Sequence, residues 1–163
     1  MAGLKLNAPA PHTQILVDAD ACPVKEEIYK VAFRHQVGVT VVANSYLRLP
    51  DHPLVARAVV SDGFDAADDY IADAANARSI VITADILLAD RCLKNGATVI
   101  GVNGKAFTAD SIGAAIATRA IMQDLRGSGD GSGVGGGPAP FSKQDRSRFL
   151  QALDVAVVRL KRG

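Results

Sequence analysis

The sequence predicts an α/β fold: a three-layer sandwich on a mostly parallel sheet of about five strands, completed by a C-terminal helix. Three observations predict it. Short apolar or β-branched runs recur down the chain, and most are followed by a stretch whose apolar residues repeat at helical spacing. The intervals suit β–α–β units, in which strands run parallel and helices cover both faces of the sheet. The chain's 163 residues, 48% hydrophobic and 21% charged, are enough for one domain with a proper core.

Residues 1–13 hold Pro9, Pro11 and small residues and read as a flexible leader. QILVDA (14–19) is a short apolar run of the kind buried strands show. Pro23 suits a first helical turn, and Val24, Ile28, Val31 and Ala32 carry a helix to about His35. VTVVA (39–43) is β-branched and strand-like; a loop with Asn44, Pro50 and Pro53 follows, and RAVVS (57–61) gives the third strand. Ala66, Tyr70, Ala74 and Ala77 space a helix from Asp65 to about Asn76. SIVIT (79–83) is the clearest strand. A helix over 85–95 stops at Gly96, and ATVIGV (97–102) is the fifth strand. An Ala- and Ile-rich helix spans 109–125.

These elements divide the chain into an α/β domain over 14–126, a Gly-rich linker over 127–140 and an amphipathic C-terminal helix within 141–163 that packs on the domain. Ser142 and Asp145 match a capping box with Asp in place of the usual Glu, and Phe149, Leu150, Leu153, Val157 and Leu160 form the apolar face.

Composition excludes several classes. The apolar fraction and a net charge of +1 do not suit a largely disordered chain. No apolar run reaches the ~18 residues of a membrane span, so no membrane partner is expected. The N-terminus lacks the h-region and cleavage site of a secretory signal, which reads as cytoplasmic. Two cysteines, Cys22 and Cys92, make neither a disulfide framework nor a cysteine-based zinc site. His12, His35 and His52 have no ligand spacing.

The aspartates carry the chemistry. Ligands of open α/β sheets bind beyond the carboxyl ends of the strands. Asp18 and Asp20 close the first strand, Asp85 follows the fourth, and Asp65 and Asp68 open the helix after the third. If strands one and four are neighbours, these groups meet at one edge. Packed carboxylates raise each other's pKa unless a cation neutralises them, and an oxygen-only set suits Mg2+ or Mn2+. Such a site supports phosphoester hydrolysis. The competing reading is capping, since aspartates at helix starts satisfy free N–H groups, and Asp65 and Asp85 each fit that role. Asp18 fits it less well, because it ends an apolar strand where an unpaired carboxylate is costly.

VDADACPVKEEIYKVA, VVANSYLRLP, VSDGFDAADDYI, IVITADILLAD, ATRAIMQDLR and GGGPAPFSKQDRSRFLQALD resemble, in that order, the bacterial YaiI/YqxD family over roughly residues 14–160. That family is grouped with PIN-like, NYN-type nuclease domains. The resemblance implies a metal-dependent nuclease, on RNA rather than DNA, with Asp18, Asp65 and Asp85 catalytic. It adds Asp20 and Asp68 to the metal ligands. Asn44 would line the pocket, and Lys105, Arg119 and Arg126 would meet substrate phosphates, with Lys143, Arg146 and Arg148 at the rim. Two departures stand out: Leu87 occupies a position where NYN nucleases carry a second aspartate, and 101–108 has Lys105 as its only cation.

Charge is uneven along the chain. Residues 1–118 carry ten basic against thirteen acidic groups, and 119–163 eight against four. A basic end beside an acidic body suits an anionic substrate held near a cation. Two other functions remain open. One is a nucleotide- or RNA-binding module without turnover. The other, from the Asp-x-Asp of ILVDADA, is a haloacid-dehalogenase-like phosphatase with Asp18 as nucleophile and Asp20 as general acid, against which Cys22 stands where Thr or Val is expected.

Overall fold

The computed structural model describes residues 12–19, 22–61, 63, 65–127 and 141–162, the side chains of 119 and 123–127 excepted. In chain order the elements are β1 (Gln14–Asp18), α1 (Lys25–His35), β2 (Gly38–Ala43), β3 (Val55–Val59), α2 (Ala66–Ala74), β4 (Ser79–Ile82), α3 (Ile86–Lys94), β5 (Thr98–Ile100), α4 (Ala109–Gly127) and α5 (Lys143–Arg162). The five strands pair in the order β3-β2-β1-β4-β5, and every pairing is parallel. This is the three-layer α/β sandwich with a C-terminal helix that the sequence predicts.

The strand order follows from the handedness of parallel crossovers. The chain steps from β1 to β2 through α1, and from β4 to β5 through α3 in the opposite direction. A right-handed crossover therefore puts α1 and α3 on opposite faces. The two cores are consistent with this. Ile15, Val17, Val39, Val41, Ile80 and Ile82 pack with α1 and α5 on one face. Leu16, Val42, Val81 and Val99 pack with α2, α3 and Ile112 of α4 on the other. Both faces of the sheet are thus dry, which is why its strands read as continuous apolar runs. The direction of winding reverses between β1 and β4, and that reversal opens the crevice where such sheets bind ligands.

Two strands differ from their expected bounds by more than one residue. β3 starts at Val55 rather than 57, because Val55 pairs with Val39 as the chain enters from the 44–54 loop. β5 stops at Ile100 rather than 102. There the chain turns back, so that Gly101 N–H donates to Lys105 O at 2.9 Å and Phe107 N–H to Val99 O at 2.9 Å, covering the outer edge of β5. Gly104 in this turn has φ +87°, and a Cβ there would lie 2.8 Å from the Arg148 carbonyl of α5, so only glycine fits.

Helix α5 docks as its apolar stripe predicts: Phe149, Leu153 and Val157 are fully buried. Its capping box is formed. Asp145 N–H donates to Ser142 Oγ and Ser142 N–H to Asp145 Oδ2, each at 3.0 Å. Polar ties to α1 finish the contact. Asp154 accepts from Arg34 at 3.1 Å and His35 at 2.7 Å, and Lys161 Nζ donates to the His35 carbonyl at 2.6 Å. The expected leader and linker fall almost wholly outside the described residues. At their margins, Thr13 is buried and accepts from Arg78 at 3.2 Å, and α4 runs through Gly127. Among the described residues no helix is long and apolar enough to cross a membrane.

Candidate functional site

β1 and β4 are neighbours, with Val17 opposite Ile82, so Asp18 ends its strand beside the residue that follows β4. That residue, Thr83, is buried, and its hydroxyl donates to Asp18 Oδ2 at 2.9 Å. The same oxygen, Thr83 Oγ1, accepts from the backbone N–H of Asp85 at 3.0 Å. One hydroxyl therefore locks together the end of β1, the end of β4 and the start of α3. Thr83 is not among the residues that the sequence singles out. The signal available was its place, directly after the central strand that neighbours β1.

Asp85 is the N-cap of α3: its Oδ1 accepts from Leu87 N–H at 2.9 Å and Leu88 N–H at 3.2 Å. The capping reading of this residue is realised in the structure. Asp65 stands at the N-cap position of α2 but makes no capping bond through its side chain. It is exposed, whereas Asp68, one turn on, is half-buried.

These carboxylates interact. The Asp68 carboxyl is pushed above the usual carboxylate range, first by burial and then by the charges of Asp85, Asp18 and Asp65; Arg91 opposes the shift. Arg91 is itself paired with Asp69 at 3.0 Å. Four of the five expected aspartates thus share one electrostatic neighbourhood at the carboxyl edge of the sheet, on the face covered by α2 and α3. The fifth, Asp20, lies outside the described residues. Among the described residues, no three His, Cys, Asp or Glu side chains stand close enough to hold one metal ion.

The other expected site residues are placed as follows. Asn44 is exposed, two residues beyond Val42, the register partner of Asp18. Lys105 is exposed in the turn after β5, two strands from β1. Arg119 and Arg126 lie on α4, and their side chains are outside the description. Arg146, expected at a substrate rim, is a structural tie instead: it donates to the Pro23 carbonyl at 2.8 Å and pairs with Glu27 at 3.4 Å. Arg148 pairs with Asp145 at 3.1 Å.

Burial disfavours the thiolate at both cysteines. Burial pushes Cys22 up, and pushes Cys92 up to about 11. A cavity of about 430 Å³ lies between β5, the Gly104 turn and α5. It is floored by Ile100 and Ala156 and flanked by Arg148 and Arg159, and contains none of the aspartates above. This cavity is separate from the aspartates of the carboxyl edge.

The fold and this edge define a class: a parallel α/β sandwich protein with an acidic crevice at the reversal between β1 and β4. The particular family follows from comparison. The family model described as "Uncharacterized BCR, YaiI/YqxD family" matches residues 16–159, and the chain belongs to that family. It is similar to the UPF0178 protein of Sphingopyxis alaskensis, 74% identical over 91% of this chain and 96% of that one. It is also similar to the UPF0178 proteins of Jannaschia sp., 58% identical over 90% of this chain and 94% of that one, and of Nitrobacter winogradskyi, 57% identical over 92% and 94%. No solved structure matches the chain.

Proposed function

We propose that the protein is a divalent-metal-dependent phosphodiester hydrolase acting on nucleic acid, RNA ahead of DNA, at the carboxyl edge of β1 and β4. The observation that supports this reading most is the influence of Asp18, Asp65 and Asp85 on the Asp68 carboxyl at the winding reversal. Carboxylates brought this close repel one another, and a cation relieves the repulsion.

The donor set fits a hard ion. It is carboxylate oxygen throughout, with the one neighbouring thiol, Cys22, kept protonated by burial. Asp18, Asp65 and Asp68 would hold the ion, with Asp20, two residues on from Asp18 in the sequence, as a further expected ligand. Asp85 keeps its cap through Oδ1. The ligands must close in from their present spacing to do so, which electrostatic attraction to a dication favours. Mg2+ or Mn2+, when bound, supplies charge neutralisation on a phosphodiester and a more acidic water.

The chain's own residues do the rest. Thr83 fixes the orientation of Asp18. The N-terminus of α2, where Asp65 makes no side-chain cap bond, points to the same edge and favours an anion there.

The test is cleavage of end-labelled single-stranded RNA and DNA with Mg2+ or Mn2+, wild type beside Asp18→Asn and Asp68→Asn. The reading expects internal cuts that both substitutions slow by at least about a hundredfold. Binding without cleavage under either metal would instead make the protein a nucleic-acid-binding module.

A further inference from the structure

We propose that the cavity formed by the 44–54 loop and the edge strand β3 is a nucleobase pocket, in which an unpaired base of single-stranded nucleic acid stacks on Tyr46. The proposal rests on the nucleic-acid reading above but not on hydrolysis.

Tyr46 is 72% exposed, yet it is held in place. The Arg57 guanidinium lies 4.4 Å from the ring centroid, and its Nη2 donates to the tyrosine hydroxyl at 3.4 Å and to the Leu47 carbonyl at 3.1 Å. A ring clamped on one face and open on the other is a preorganised stacking surface, which lowers the entropic cost of binding. The same two residues line a cavity of about 300 Å³ with Leu49, Pro50, Asp51 and His52. That volume sits at the small end of ligand pockets and suits a single planar ring system.

The lining chooses the ligand. It carries one carboxylate, Asp51, and one guanidinium, Arg57, so it offers no net charge to attract a phosphate. His52 is packed on Phe33 at 4.0 Å between ring centroids, and its Nδ1 accepts from Leu54 N–H at 3.1 Å, which leaves Nε2–H as the donor of the neutral ring. An aromatic wall with hydrogen-bond acceptors and donors beside it matches a neutral, flat, hydrogen-bonding group, and a nucleobase is such a group.

Position relative to the acidic edge also suits one strand reaching both. Arg57 pairs with Val41, which pairs with Val17, the residue before Asp18. Arg57 therefore lies two strands across from β1, roughly 10 Å in the sheet. It projects on the α1 side of the sheet, opposite to the face of Asp18. A strand bound at both places crosses the carboxyl edge, which requires unpaired and flexible nucleic acid.

The experiment is fluorescence-anisotropy titration of a short labelled single-stranded RNA, with calcium in place of magnesium to limit cleavage. Wild type is compared with Tyr46→Ala and Tyr46→Phe, each checked for unchanged thermal unfolding. The pocket predicts that Tyr46→Ala weakens binding about tenfold or more and that Tyr46→Phe stays within about twofold of wild type. The chain has no Trp and three Tyr, so intrinsic emission adds a direct reading. RNA should quench it in wild type and much less in Tyr46→Phe/Ala. Equal RNA affinity of wild type and Tyr46→Ala would overturn the pocket and leave the nucleic-acid reading standing. No RNA binding by wild type would overturn both.

Discussion

Thr83 and Asp18 show how much one hydroxyl can organise. A buried threonine that donates to a carboxylate and accepts from the next cap fixes three chain segments with two hydrogen bonds. Thr83→Val keeps the shape and removes both bonds. It should cost about 1–3 kcal/mol of stability, since the buried Asp85 N–H loses its acceptor. It should also weaken Mn2+ binding about tenfold or more by freeing Asp18, an effect calorimetry would resolve. The two aspartates at helix starts separate in the same way. Asp85→Ala removes two cap bonds and should destabilise by about 1 kcal/mol in chemical denaturation. Asp65→Ala removes none and should leave stability almost unchanged. Sequence alone could not divide these roles, because both residues precede a helical run and a cap is decided by the side-chain rotamer. It did find the cluster, because carboxylates at strand ends are a pattern of position.

Helix α5 stands between being an appendage and being part of the domain, and the packing decides for the latter. Phe149, Leu153 and Val157 complete the core on the α1 face, so Phe149→Ala should cost about 3–5 kcal/mol and lower the unfolding midpoint of the entire domain in one transition. Gly104→Ala should also destabilise, by more than about 1 kcal/mol, since the new Cβ meets the α5 backbone at a positive φ. The polar ties give this contact a pH dependence. Hydrogen bonding from His35, with Arg34 beside it, holds the Asp154 carboxyl below the usual range. A carboxyl lowered by folding adds stability above its unfolded value, about 3.9, and loses it as pH falls through the folded value. Wild type should therefore exceed Asp154→Asn in stability at pH 7, and the difference should shrink as pH falls below the unfolded carboxyl value. The capping box and the apolar stripe of α5 were legible in the sequence because both are local. The use of Arg146 to tie α5 to the start of α1 was not, since that contact joins residues 123 positions apart.

The whole molecule follows from a chain that winds its sheet outward from β1 in both directions. Alternating strands and helices are visible in the sequence, so the class of fold was legible down to most element bounds. The strand order was not, because apolar runs buried on both faces carry no mark of which neighbour they pair with. Yet the order is what brings Asp18 of β1 next to Thr83 after β4, and both next to the starts of α2 and α3. The same order puts β3 at an open edge, where Tyr46 and Arg57 meet. Tyr46 does not stand out in the sequence, because its clamp and cavity come from pairing β3 with β2. The family relationship covers residues 16–159, which include all five strands but the first two residues of β1. The proposal that the carboxyl edge is a divalent-cation site is tested by calorimetric titration of Mn2+ into metal-free protein, wild type beside Asp18→Asn. A cation site there gives saturable binding in wild type and loss of it in a variant that unfolds at the same or a slightly higher temperature. Equal binding by the two proteins, or unfolding of the variant with binding retained, would contradict it.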